Sequence, residues 1–144
     1  MKIRHIINEK GTNIITVTPE QSVQEAIAIL VEHNIGSLLV MKGKEVVGII
    51  TERDVLNEYN KNLQLLSEKK VQDVMTKQLI ICGPDDDIDD IMSVMTEKHI
   101  RHLPIILNGE VKGMISIGDI VKSQLHEHEH QIKYLSDYIT GSRI

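Results

Sequence analysis

The chain has no phenylalanine and no tryptophan, and only three tyrosines among its 144 residues. Aliphatic side chains and methionine must therefore pack whatever core it forms. Its one cysteine, Cys82, excludes an intramolecular disulfide. Cation is in short supply: 16 Lys and Arg against 21 Asp and Glu leave a net charge of −5. A phosphate backbone or an anionic membrane needs a concentrated basic face, so this balance argues against both partners. No stretch reaches the roughly 18 apolar residues that cross a bilayer. Met1-Lys2-Ile3-Arg4-His5 leads into no apolar signal core. These absences predict a soluble, cytoplasmic protein. There is also no glycine-rich phosphate loop, and no hydroxyl or thiol nucleophile in a base-containing setting, which argues against an enzyme.

What the chain does have is a repeat. Residues 12–56 recur at 77–121 with a constant offset of 65 and no gap. Ten of the 45 positions are identical, including Ile35/Ile100, Leu38/Leu103, Gly48/Gly113, Ile50/Ile115 and Asp54/Asp119, where roughly three would match by chance. Two copies of one supersecondary unit should pack together and leave clefts between them. The lead-in Ile3-Arg4-His5-Ile6-Ile7 also resembles Val71-Gln72-Asp73-Val74-Met75, at an offset of 68.

Each copy reads as β-α-β-β-α, giving an α+β fold. Ile14–Val17 predicts a strand stopped by Thr18-Pro19, and Ser22-Val23-Gln24-Glu25 has the form of a capping box that opens a helix over 22–33. Val23, Ala26, Ile27 and Leu30 share its buried stripe. Ser37–Met41 and Val46–Ile50 predict a hairpin across Lys42-Gly43-Lys44, followed by a helix from Thr51 to about Tyr59. In the second copy Leu79–Cys82 predicts the strand. Asp85, Asp86 and Asp87 suit the start of a helix over 86–99, where negative charge meets the dipole. Leu103–Leu107 and Val111–Ile115 predict a hairpin across Asn108-Gly109. A helix is expected to begin near Ser116–Asp119, and residues 120–139 read as an unusually long final helix with apolar positions at Val121, Leu125, Ile132, Leu135 and Ile139. The expected division is repeat 1 over 1–60, a connection over 61–70, repeat 2 over 71–122, and a C-terminal helix over 123–144.

Chemistry is expected at the strand–helix junctions, Gly48-Ile49-Ile50-Thr51-Glu52-Arg53-Asp54 and Gly113-Met114-Ile115-Ser116-Ile117-Gly118-Asp119. Each places a hydroxyl at the junction and a carboxylate three residues on. One reading is a capping box that satisfies the first helix amides. The other is a ligand site, in which free amides and the hydroxyl receive an anion while the carboxylate accepts two hydroxyls of a sugar.

With the repeat, this set resembles the cystathionine-β-synthase-type (CBS) domain pair over residues 3–122. The motifs that carry the resemblance are Thr18-Pro19, Ile35-Gly36-Ser37-Leu38-Leu39-Val40, the two junctions above, and Arg101-His102-Leu103-Pro104-Ile105. The chain is most similar to small stand-alone bacterial proteins with one CBS pair and a C-terminal helix. The resemblance implies two copies packed about a pseudo-twofold axis, binding adenosine ligands (AMP, ADP, ATP, NAD(H) or S-adenosylmethionine) in the clefts. It implies a homodimer, an unidentified regulated protein and no catalytic cofactor. Asp54 and Asp119 match the family's ribose-binding positions, and Thr51 and Ser116 the hydroxyls beside them. Arg101 and His102 match its phosphate-binding positions and are expected on the Asp119 cleft, with Thr18 reaching it from the other copy. Ile35, Ile80 and Leu103 would line the adenine. The counterparts of Arg101-His102 are the neutral Gly36-Ser37, so the Asp119 cleft is expected to favour phosphate, with Arg53 supplying charge to the first cleft.

Alternatives remain beside this reading. A dimerisation scaffold without ligand would need only the apolar faces and the caps. His126-Glu127-His128-Glu129-His130 puts His126 and His130 one helical turn apart, a two-ligand arrangement too sparse for a purpose-built metal site. Cys82 reads as a small buried hydrophobe.

Overall fold

A computed structural model describes residues 1–11, 14–61 and 68–140, with side chains described as far as Glu129. The order is α1 (Ile3–Lys10), β1 (Thr16–Val17), α2 (Val23–His33), β2 (Ser37–Lys42), β3 (Glu45–Thr51), α3 (Glu52–Lys61), α4 (Val71–Val74), α5 (Ile88–Lys98), β4 (His102–Leu107), β5 (Glu110–Ser116) and α6 (Ile117–Thr140).

The hairpins follow their turn residues. Gly43 (φ 64°) closes β2–β3, while Asn108 (φ 53°) and Gly109 (φ 78°) both take the left-handed conformation that a tight β4–β5 turn demands. The register slips once in each hairpin at equivalent places, between Val40 and Met41 and between Ile105 and Ile106. Helix α2 starts as expected, with the Ser22 hydroxyl accepting from the Glu25 amide at 3.0 Å. The Glu25 carboxylate instead takes the Gln21 side-chain amide. Asp87 flanks α5 without a side-chain cap bond. It pairs with Lys2 (3.1 Å), Asp85 pairs with Arg4 (2.8 Å), and Asp86 accepts from the Gly83 amide (2.7 Å).

One expected strand does not form. In the first half β1 lies parallel to β2, with Thr16 opposite Leu39 and Val17 opposite Val40. In the second half Leu79–Cys82 makes only a single bridge, Cys82 to Ile105, held by Cys82 N–H to Pro104 O and Ile106 N–H to Cys82 O. Pro104 stands where Leu39 stands in the first half. It has no N–H to extend the ladder towards Ile80, and Ile80 and Ile81 are left exposed.

Each half has its own core, and each core is completed by the other half's lead-in. Ile3 and Ile6 of α1 are buried with Cys82, Ile88, Ile91, Met95, Leu103, Ile105, Ile115 and Ile120 of the second half. Val71 of α4 is buried with Val17, Ala26, Leu30, Leu38, Val40 and Ile50 of the first. Backbone bonds fix this exchange: Ile3 N–H to Asp86 O and Arg4 N–H to Pro84 O on one side, Val71 N–H to Gln21 O and Gln72 N–H to Pro19 O on the other. The boundaries read from the repeat thus separate each lead-in from the core it completes. The long final helix forms as expected: α6 runs unbroken from Ile117 to Thr140, so the junction helix and the C-terminal helix are one. Val121 and Leu125 are exposed on it. The expected contacts of Ile132, Leu135 and Ile139 lie outside the described residues.

Candidate functional site

Both junctions adopt the reciprocal cap. The Thr51 amide donates to Asp54 Oδ2 (3.0 Å) and the Asp54 amide to Thr51 Oγ1 (3.2 Å). Ser116 and Asp119 repeat this at 2.9 and 3.1 Å. The capping reading is therefore realised in both halves. A carboxylate has about four acceptor positions, so the cap leaves capacity on each.

What meets that spare capacity differs between the halves. Gly48 lets the segment after α4 lie directly against β3, where Thr76 and Ile49 exchange backbone bonds of 2.8 and 3.0 Å. The Thr76 hydroxyl then reaches Asp54, at 3.1 Å from Oδ1 and 3.3 Å from Oδ2. In the second half Lys10 fills this place. Its ammonium donates to Asp119 Oδ2 at 2.7 Å and to Met114 O at 2.8 Å.

A cavity of about 580 Å³ opens beside Asp54, within the size range of small-ligand sites. The first half contributes Gly36, Ile49, Thr51, Glu52, Arg53, Asp54, Leu56 and Asn57. The segment after α4 adds Thr76, Gln78, Leu79 and Ile80, and the second half adds His99, Ile100, Arg101, His102 and Pro104. Arg53 reaches across to the His99 carbonyl at 3.4 Å. Eight expected residues thus meet here: Gly36, Thr51, Arg53, Asp54, Ile80, Arg101, His102 and Pro104.

This grouping corrects one expectation. Arg101 and His102 line the cavity beside Asp54, although the His102 ring, opposite Ser116 across the hairpin, also stays within reach of the Lys10 and Asp119 charges. The Arg101 carbonyl does bind the start of α6, accepting from Ile117 N–H at 2.9 Å. Its residue nonetheless fronts the opposite half, because β4 begins where the two halves face each other: His102 packs close to Gly36, and a Cβ on Gly36 would lie 3.3 Å from its ring. The Arg101 guanidinium expected beside Asp119 therefore joins Arg53 beside Asp54, with the His102 ring in the same wall.

The other expected residues lie elsewhere. Ser37 and Leu103 are buried, Ile35 packs against the first core, and Thr18 is exposed with its amide donating to Gln21 Oε1. Ser116 and Asp119 stand at the junction that Lys10 covers. Sequence reasoning missed Thr76, Gln78, His99 and Lys10. His99 had a signal: it is the left-handed C-cap of α5, as its counterpart Asn34 is of α2. His126 and His128 are exposed on α6, and the His130 side chain lies outside the described residues.

Electrostatics separate these groups. Burial, aided by the Lys10 and Arg101 charges, outweighs the pull of Glu52 and Asp119 and holds the His102 imidazole below its ordinary 6.5. His102 therefore enters the cavity wall neutral at pH 7, able to donate or accept. Burial with the nearby Asp86 charge pushes the Cys82 thiol up to about 12, which leaves it an inert core group. For Asp119 burial raises the carboxyl, but the Lys10 hydrogen bond, the Ser116 amide and hydroxyl, and the Lys10 charge overcome it and hold it below its ordinary 3.8.

A depressed carboxyl contributes stability above its unfolded pKa and loses it as pH falls through the folded value. Asp119→Asn should therefore flatten the acid limb of the stability profile, most visibly below the ordinary 3.8. Denaturant unfolding at a series of acid pH values would measure this, and equal slopes for parent and variant would contradict it.

The comparisons agree with the geometry. The CBS domain family matches residues 3–61 and 71–126. A mitochondrial CBS domain-containing protein of Arabidopsis thaliana, CBSX3, is 37% identical over 129 residues, 86% of this chain and 63% of that protein, so this chain spans under two thirds of that relative's length. The crystal structure of a CBS-domain protein from Agrobacterium tumefaciens superposes with a TM-score of 0.84 at 34% identity, covering 86% of this chain and 99% of that one. The CBS pair of protein MJ0100, solved with 5'-methylthioadenosine and S-adenosylmethionine, reaches 0.76 at 26% identity over 90% of this chain and 98% of that one. Two matched copies, interleaved lead-ins and paired strand–helix junctions make this chain a member of the CBS domain family, carrying the domain twice.

Proposed function

We propose that this chain is a regulatory module that binds an adenine nucleotide (AMP, ADP, ATP or NAD(H)) in the Asp54 cavity and signals through the packing of its two halves. The observation that carries the reading is the composition of that cavity. It combines a capped carboxylate with spare acceptor capacity, hydroxyls at Thr51 and Thr76, apolar walls at Leu79, Ile80 and Ile100, and arginines from both halves. Asp54 would accept the ribose hydroxyls, the aliphatic wall would take the base, and Arg53 and Arg101 would meet phosphate, for which a guanidinium is well shaped. The adenosine ligands of the MJ0100 pair support this class.

Such a ligand touches both halves and binds only when they are packed. At 100 times its dissociation constant it would add about 2.7 kcal/mol to stability, which is how occupancy becomes a mechanical signal. The apolar excess on α2, where Val31 is 74% exposed, supports association with a second copy. We read the chain as a cytoplasmic binding protein and not an enzyme, acting on a partner whose identity the chemistry of this cavity does not name.

Titration calorimetry with AMP, ADP, ATP, NAD(H), S-adenosylmethionine and adenosine tests the reading. Asp54→Ala should weaken binding about tenfold or more, the loss of hydrogen bonds to a charged group. Arg101→Ala should weaken AMP far more than adenosine. The reciprocal caps favour a second reading, a scaffold that keeps both aspartates only to start its helices. On that reading Asp54→Ala melts lower and no ligand in the series binds the parent.

A further inference from the structure

Superposing the halves by the repeat puts Met114 where Ile49 stands and Asp119 where Asp54 stands. In the first half the Thr76 amide donates to Ile49 O at 2.8 Å and its hydroxyl to the Asp54 carboxylate. In the second, one ammonium does both: Lys10 Nζ lies 2.8 Å from Met114 O and 2.7 Å from Asp119 Oδ2. The Lys10 group is not on a loose arm. Ile3, Ile6 and Lys10 fall on one face of α1 at helical spacing. Ile3 and Ile6 are sunk in the second core, and Lys2 and Arg4 tie the start of the helix to Asp87 and Asp85. Lys10 is thereby delivered to Asp119 by the packing of its own helix.

The rest of this junction has lost what the first one has. Gly36 and Ser37 replace Arg101 and His102, and Gly118 replaces Arg53. We infer that Lys10 occupies the sugar-binding carboxylate of the second junction, so that the module takes one nucleotide at Asp54 and Lys10 is the residue that closes the other site. This rests on the nucleotide reading of the Asp54 cavity. The ammonium donates to Asp119 Oδ2, the oxygen that also accepts the Ser116 amide, and sets a positive charge where a ribose diol would approach, whereas Asp54 meets there only the neutral Thr76 hydroxyl. A diol entering there must displace a charged partner without offering a charge of its own. Removing the ammonium, while leaving α1 packed, should uncover the site.

The test is the number of equivalents bound in separate calorimetric titrations with AMP, ADP, ATP, NAD⁺ and S-adenosylmethionine. The parent should take one. Lys10→Met, which keeps the length of the side chain and removes the charge, should take two. Lys10→Met with Asp119→Asn should return to one, and Lys10→Met with Asp54→Ala should keep only the Asp119 equivalent. If Lys10→Met does not fold, Lys10→Gln replaces it with the same expectation. Two equivalents in the parent, or one in Lys10→Met, overturns the inference and leaves the Asp54 reading standing. No binding to the parent but one equivalent in Lys10→Met, lost with Asp119→Asn, overturns the Asp54 reading and upholds the role of Lys10. No binding to any chain overturns both.

Discussion

Ile3→Ala should cost about 2–5 kcal/mol, the range for emptying a buried aliphatic position, and the damage should surface far along the chain. Ile3 is fully buried, and its neighbours in the core are Ile88, Leu103, Ile115 and Ile120 rather than the strands that follow it. The truncation leaves a void against residues that α1 and the second hairpin hold in place, so little can collapse to fill it. Hydrogen exchange should show β4 and β5 losing protection while β2 and β3 keep most of theirs. Val71→Ala should give the mirror image at smaller cost, because Val71 completes the first core. Loosening of β2 and β3 by Ile3→Ala would contradict the exchanged packing.

Gly48→Ala should be nearly as costly, about 3 kcal/mol, at the upper end of what overpacking usually costs. A Cβ at this position would lie 2.9 Å from the Thr76 carbonyl oxygen and 2.7 Å from the Met75 sulfur. The sulfur can swing aside, but the carbonyl belongs to backbone that is bonded to Ile49 and cannot yield without breaking that bridge. For a chain of this length the melting temperature should fall by roughly 6–12 °C. The equivalent Gly113→Ala should be close to silent, since among the described residues its Cβ would meet only the Ile105 side chain, at an ordinary 3.7 Å. Among the described residues no backbone lies against Gly113; a lysine side chain bridges to β5 at Met114 O instead. Equal melting points for the two variants would show that the halves are not built differently at this place.

Local turn, cap and periodicity signals made much of this fold readable. Asn108-Gly109 announces its hairpin, Ser22 its helix start, and the stripe of Val23, Ala26, Ile27 and Leu30 its inward face, of which only Ile27 stays half-buried, because each is a local consequence of backbone geometry. The missing strand at Leu79–Cys82 was legible in principle. Its apolar run reads as a strand, but Pro104, 22 residues beyond Cys82, withholds the donor that the ladder needs. The site was legible as a set of residue types and not as a grouping. Thr51 and Asp54 lie three apart on one junction, whereas Arg101 joins them only through the way the halves face each other. Lys10 and Asp119 are separated by 109 residues, and no spacing rule connects an ammonium on a lead-in helix to a cap so far away. Comparing the copies does predict unequal clefts, from Arg101-His102 against Gly36-Ser37, but spacing alone does not show which junction each strand fronts, so the arginine was expected on the Asp119 side.

The crossing of the lead-ins sets the unit of inheritance out of step with the unit of folding. The stretch that recurs in the sequence begins after α1, yet a self-sufficient core is assembled from α1 with the second copy and α4 with the first. A cut through the connection at 61–70 therefore yields no autonomous domain on either side: each fragment would carry the other's keystone. Recombination that shuffles single copies between proteins would strand both cores, which makes the pair, and not the copy, the smallest piece that can be moved intact.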